Sequence, residues 1–212
     1  LHGWDPLWFA WLGERYADLD PDGRRGYDGQ FVTYIARDGL GAVPHLDNPA
    51  YRLQRILLPA LIRVLTGGNA DLIAWAIPAV NLVAIIAATA ILAHWLRDQK
   101  VTPWYALIYS LYVGVFMAYS RNLTEPLAFG LAAAGAVLWV RERFPPAALL
   151  LALAALTKEI ALLVSIGAFI TALVRRDLRR AAWAAVTVLP LLAWEVVLYV
   201  RLRQIPFLAG AS

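Results

Sequence analysis

From residue 71 onward, long apolar runs alternate with short clusters of Arg, Lys and Asp. Residues 71–96 make the first run and hold Pro78 and Asn81 inside it. Residues 104–119, flanked by Trp104 and Tyr119, make the second, and residues 123–140, rich in Ala and Gly, the third. A bilayer-crossing helix needs roughly 20 mostly apolar residues, so each run predicts a spanning helix. Residues 145–174 behave differently. Two runs, Pro145–Leu156 and Ile160–Val174, meet at Thr157, Lys158 and Glu159, and each is short for a span. Lys158 at mid-bilayer would cost about 2.5–3.5 kcal/mol, so this stretch predicts a helical hairpin with Lys158 and Glu159 at its tip. Residues 181–200 predict a last span, with Pro190 and Glu195 inside it.

The first part of the chain is another material. Residues 1–49 carry most of the acids and many Gly and Pro, and no window there approaches a spanning length. They predict a large external loop domain with short helices at Pro6–Tyr16 and Gly29–Arg37, where apolar residues recur at helical spacing. Residues 50–66 are apolar on one side and place Arg52, Arg55 and Arg63 on a shared helical face. That pattern predicts an amphipathic helix lying in the membrane interface. The chain thus divides into a loop domain with its interfacial helix at residues 1–66 and a transmembrane helical domain at residues 67–212. The fold class is all-α, a polytopic helix bundle.

Composition strengthens this picture. The 212 residues are 61% hydrophobic and 16% charged, against about 45–50% and about 25% in soluble domains. Nine Trp and nine Tyr suit aromatic belts at the membrane interfaces. A soluble enzyme, a nucleic-acid-binding domain and a disordered tail are poor fits, and no nucleic-acid partner is expected despite the net charge of +4. The chain has no Cys, which excludes disulfides and thiolate chemistry. It begins at Leu1 within a polar region and ends at Ser212 just past the last apolar segment, so further elements are expected at both ends.

The basic loops set orientation. Residues 97–100, 141–143 and 175–180 together hold eight Lys and Arg, which makes theirs the cytoplasmic side. The other side receives the 1–49 loop, residues 120–126, the Thr157–Glu159 tip and the chain from Arg201 onward. Asp28, Arg121, Glu125, Lys158, Glu159, Glu195 and Arg201 come from separate segments yet converge there or just below. Arg121 and Glu125, four residues apart, are placed to pair on one helical face. With Arg52 and Arg55 they outline a cationic pocket with carboxylates beside it. Such a pocket suits a lipid-linked phosphate, gripped by Arg and Lys, with a carboxylate to deprotonate an acceptor hydroxyl. The same inventory serves a structural membrane subunit in which each Arg finds a Glu. No metal or cofactor is expected: His2, His45 and His94 lack paired ligand spacing, and Asp18, Asp20 and Asp22 lack the distal Glu of a calcium loop. Asn81 reads as a helix–helix hydrogen bond.

The segment GYDGQFVTYIARD, Gly26 to Asp38, resembles the start of the first external loop of bacterial polytopic GT-C glycosyltransferases. It is similar to the aromatic-Asp-x-(His/Gln)-Phe pattern of the family that adds the second mannose to GPI anchors. The likeness continues through His45–Pro59 and Asn122–Gly130 and ends with Ala154–Leu163, in the same order along the chain. It implies transfer of a sugar from a polyprenyl-phosphate donor to an acceptor hydroxyl at the external face, usually with inversion. Asp28 would be the base, flanked by Tyr27 and Gln30, the latter standing where the pattern has His. Arg121, with Glu125, and Lys158, with Glu159, would face the donor phosphate, while His45, Asp47, Arg52 and Arg55 would shape the loop side. The implied partners are the lipid-linked sugar phosphate, membrane lipids and other membrane subunits, at a bacterial plasma membrane.

Overall fold

The computed structural model describes residues 28–206, so Tyr27 and the Pro6–Tyr16 helix lie outside the described residues. Every regular element among those residues is a helix, and no strand occurs among them. In chain order the helices are α1 (Gly29–Asp38), α2 (Pro49–Gln54), α3 (Leu57–Thr66), α4 (Ala70–Asp98), α5 (Leu107–Ser110), α6 (Val113–Tyr119), α7 (Glu125–Val140), α8 (Phe144–Thr157), α9 (Leu162–Val174), α10 (Leu178–Val186) and α11 (Leu189–Leu202). Short 3₁₀ turns at Gly39–His45, Pro103–Ala106 and Glu159–Ala161 join some of them.

Local chemistry explains five of the eleven starts. The side chain of Asn69 accepts hydrogen bonds from the backbone N–H groups of Asp71 and Leu72, at 3.0 and 3.1 Å, and so caps α4. Asp177 does the same for α10 by accepting from the Arg180 N–H at 3.0 Å. Pro49, Pro126 and Pro145 sit in the first turns of α2, α7 and α8, where the missing N–H costs nothing. The ends of α4, α6, α7 and α9 share one device. In each, a residue with positive φ (Lys100, Asn122, Glu142, Arg176) follows the last turn, and the next N–H bonds five residues back. This is the Schellman closure, made here without Gly.

Two helical stretches are long and apolar enough to cross a membrane: Ala70–Asp98, with 29 residues, and Leu178–Leu202, with 25 residues across α10 and α11. At 1.5 Å per residue α4 extends about 43 Å, beyond a hydrocarbon core of about 30 Å. Elsewhere the structure corrects the simple runs. Residues 104–119 are not one helix but a 3₁₀ turn, α5 and α6, parted at Leu111–Tyr112. Tyr, Phe, Val and Ile crowd this stretch, and all are weaker helix formers than the Ala and Leu of α4 and α8. Residues 50–66 form two helices parted at Arg55–Ile56, which separates Arg52 from Arg63 and ends their shared face. The 181–200 stretch turns at Thr187–Val188. Pro190 cannot donate to the Val186 carbonyl there, and the Thr187 hydroxyl bonds back to Ala184 O at 2.7 Å.

The 145–174 hairpin is present. α8 ends at Thr157, Lys158 is extended (φ −158°, ψ 127°), and the chain restarts as a 3₁₀ turn and α9. Its two open ends meet: Arg180, just past α9, lies 2.6 Å from Glu142, just before α8. The first basic loop joins them through an Asp98–Arg141 ion pair. All three basic loops therefore gather at one end of the bundle.

The core forms around α1, whose residues Gly29–Ala36 are all buried. One face packs Phe31, Tyr34 and Ile35 with Leu46, Leu53 and Leu198. The other packs Val32 and Ala36 with Leu58, Ile62, Ile73, Ile77 and Leu127. α7 approaches its neighbours closely through glycine: a Cβ on Gly130 would lie 3.1 Å from Ala84 O, and one on Gly135 would lie 2.8 Å from Leu151 Cγ. Asn81, fully buried in α4, donates from Nδ2 to Leu123 O at 2.9 Å and ties α4 to the strap before α7.

Candidate functional site

Opposite the basic end, charged residues from four segments surround the N-terminus of α1. A small pocket there is lined by Asp28, Arg52, Arg55, Glu125 and Lys158, over an apolar floor that includes Phe31, Val32 and Leu123. Its free volume is about 30 Å³, room for a water or two.

Arg52 is the hub. Its Nη1 lies 2.8 Å from an Asp28 oxygen, and its Nε and Nη2 each lie 2.8 Å from an oxygen of Asp47. Its guanidinium also sits 4.4 Å above the Phe31 ring and 5.3 Å from the Tyr51 ring. Flat stacking with forked hydrogen bonding is what guanidinium offers and ammonium does not. Arg55 grips Glu159 with two bonds, Nε at 3.0 Å and Nη2 at 2.7 Å, and stacks on Tyr51 at 4.4 Å. Lys158 pairs with Glu125. The Arg52 and Arg55 side chains are nearly buried, at 13% and 12% exposure, whereas Asp28 remains 48% exposed.

The electrostatics follow from this packing. Burial opposes ionisation of Asp47, but the hydrogen bonds and positive charge of Arg52 outweigh it and hold the carboxyl below its ordinary value. Burial likewise disfavours the charged Arg52, and Asp47 and Asp28 reverse that and raise its pKa. Because folding favours ionised Asp47, its stabilising contribution is complete above the ordinary carboxylate value of about 3.9. It is lost as pH falls through the lowered folded-state value. Thermal midpoints followed from pH 7 to pH 3 should therefore fall less steeply for Asp47→Asn than for the wild type. Identical acid profiles would remove this ion pair from the stability of the site.

The structure brings together Asp28, Asp47, Arg52, Arg55, Glu125, Lys158 and Glu159. It places others differently. Arg121 does not share a helix with Glu125: it sits in the Ser120–Asn122 turn, and its carbonyl abuts Gly29. Glu125 opens α7 and is taken by Lys158 instead, because the hairpin tip reaches it across the pocket. Gln30 is buried, at 1% exposure, and does not line the pocket. His45 ends the 3₁₀ turn after α1, its ring 6.0 Å from that of Tyr34, away from the pocket. Glu195 is buried in α11, and Arg201 is exposed near its end.

The chain matches no family model, no curated protein and no solved structure.

The sequence reading missed Phe31 and Tyr51, the rings that flank Arg52. Their spacing held a signal: Phe31 stands three residues after Asp28, and Tyr51 four before Arg55. Among the described residues no group of three His, Asp or Glu is placed to hold a metal ion. Three cations, Arg52, Arg55 and Lys158, thus line one pocket, each held by a carboxylate, and one of those carboxylates, Asp28, is half exposed.

Proposed function

We propose that the chain is the core of a polytopic membrane glycosyltransferase of GT-C type, acting on a polyprenyl-phosphate sugar at the external face. The observation that carries this reading is the half-exposed Asp28 carboxylate held by Arg52 at the mouth of a pocket that also contains Arg55 and Lys158.

The placement of the pocket supports the membrane part. α7 separates it from the basic loops by 16 residues, roughly 24 Å of helix. Large apolar side chains between the two charged ends face outward, among them Ile86 at 59%, Leu163 at 62%, Ile170 at 55% and Val196 at 61% exposure. Soluble monomers rarely expose contiguous apolar patches beyond a few hundred Å². A lipid-covered belt accounts for them, with the basic loops cytoplasmic and the pocket external. Single-Cys labelling checks this in a chain free of native Cys. An impermeant reagent applied to intact cells should label position 204 and spare position 179, and the reverse pattern would invert the topology.

The chemistry follows from an exchange of partners. A donor phosphate replacing the Asp28 carboxylate at the pocket mouth takes charge-assisted hydrogen bonds from the forked Arg52 guanidinium, with the charges of Arg55 and Lys158 behind it. Asp28, freed from Arg52, accepts the proton of the acceptor hydroxyl. That oxygen forms the new bond to the anomeric carbon, the bond from this carbon to the phosphate oxygen breaks, and polyprenyl phosphate leaves with the bonding pair. The anomeric centre inverts.

A second reading is a non-catalytic membrane subunit on the same scaffold. The full pairing of Arg52, Arg55 and Lys158 with carboxylates favours it, since these contacts also lock α1, α2, α7 and the hairpin tip together. Membranes carrying the protein decide between them. Transfer from a polyprenyl-phosphate sugar, above membranes lacking the chain, is expected for the enzyme, and its absence across donor sugars would favour the subunit.

A further inference from the structure

At the opposite end of the bundle, between α7, α9 and the start of α10, lies a cavity of about 350 Å³. That is within the range of small-molecule sites, roughly 300–1,000 Å³. Trp139, Thr171, Ala172, Arg175, Glu142 and Arg180 are among its walls. We propose that this cavity binds the phosphate-bearing headgroup of an anionic lipid, with the acyl chains lying on the aliphatic rim beside it.

Charge is the first argument. The three loops that meet here hold eight basic residues against Asp98, Glu142 and Asp177. Arg180 is fixed in place, 2.6 Å from Glu142, 2.8 Å from Asp177 and 5.3 Å from the Phe144 ring. Arg180 is thereby shared between Glu142 and Asp177. Arg175 forms no ion pair among the described residues and is exposed beside the cavity. Within this excess of positive charge, the unpaired Arg175 guanidinium offers the forked donors that suit a phosphate. Trp139 walls the same space, its ring 5.1 Å from that of Phe144.

The rim is the second argument, and it selects a lipid over a soluble phosphate. Val174 and Leu178, on either side of the Arg175–Asp177 turn, are 79% and 76% exposed, and Val140 is 61% exposed. An unpaired Arg175 at a basic loop end, bordered by bare aliphatics, matches an amphiphile with an anionic head. Basic pockets between helices on the cytoplasmic side take anionic headgroups for this reason. The inference rests on the membrane reading of the bundle and is independent of sugar transfer.

The test uses the purified chain in neutral detergent, with lipid retention read by native mass spectrometry. Phosphatidylglycerol should be retained, phosphatidylcholine of equal chain length should not, and glycerol 3-phosphate alone should bind weakly. Arg175→Gln should need about five- to tenfold more phosphatidylglycerol for half-occupancy, the share of one Arg at an anionic surface. Arg201→Gln, at the far end, should match the wild type. The Arg175 side chain forms no ion pair among the described residues, and helix content by circular dichroism confirms that the variant is folded. Equal retention by wild type and Arg175→Gln would overturn the site, and so would equal retention of the two lipids. Glycerol 3-phosphate binding as tightly as the lipid would overturn the lipid assignment. These readouts require no bilayer, so their failure is separable from failure of the labelling pattern that tests the membrane reading.

Discussion

Asp28→Asn is expected to lower sugar transfer by a factor of about 10²–10⁴, the range for loss of a general base, while leaving the protein folded. The amide keeps the size of the carboxyl and can still accept a hydrogen bond from Arg52, but it cannot take the acceptor proton. Folding should survive because Asp28 is half exposed, and exposed ion pairs contribute only about 0–1 kcal/mol. Arg52 keeps its forked contact with Asp47 in the variant. Lys158→Gln should behave differently, raising the donor KM more than it lowers kcat, since it removes a charge from the grip on phosphate. The measurement is transfer by membranes carrying equal amounts of each protein. Unchanged transfer in Asp28→Asn would leave the carboxylate as a structural partner of Arg52 and remove it from the mechanism.

Gly29→Ala should be the most destabilising glycine-to-alanine change among the described residues. A Cβ at this position would overlap the carbonyl oxygen of Arg121 and lie 3.1 Å from its carbon and 3.3 Å from Asn122 Cβ. The carbonyl belongs to a turn closed by hydrogen bonds from Asn122 N to Tyr119 O and from Leu123 N to Ala118 O, so it cannot swing aside. α1 would have to lift from the 120–124 strap. Overpacking of this kind costs about 1–3 kcal/mol or more, and it would pull Asp28 away from Lys158 as well. Gly167→Ala is the control. No atom stands within 4 Å of its added methyl, and alanine in mid-helix should gain about 0.5–1 kcal/mol. Unfolding midpoints in detergent should therefore move in opposite directions. A midpoint for Gly29→Ala equal to the wild type would mean that α1 does not touch the strap as closely as described.

Local pattern alone determined a good deal of this protein. The apolar run of α4, the break at Lys158 and the helical stretch at the start of α1 were legible because each depends on residues within a turn or two of one another. The side of the bundle to which each basic loop belongs was legible for a similar reason, since loop parity only counts helices between charge clusters. Asp98–Arg141 and Arg180–Glu142 join the loops that parity had grouped.

Tertiary approach decided the pairings. Spacing along the chain placed Glu125 with Arg121, four residues away. The chain instead turns through Asn122 before α7 begins, and the partner arrives from the hairpin tip 33 residues later. Arg55 and Glu159, separated by 104 positions, meet only because the fold carries the hairpin tip to the end of α2. Helix breaks at Arg55–Ile56 and Leu111–Tyr112 were equally hidden, because an apolar run shows what lipid or core will accept and not whether the backbone stays helical. An ion pair between distant segments has no local signature. Its energy depends on the distance and burial that only the assembled fold supplies, and here that assembly turned a row of expected phosphate grips into a closed network of paired charges.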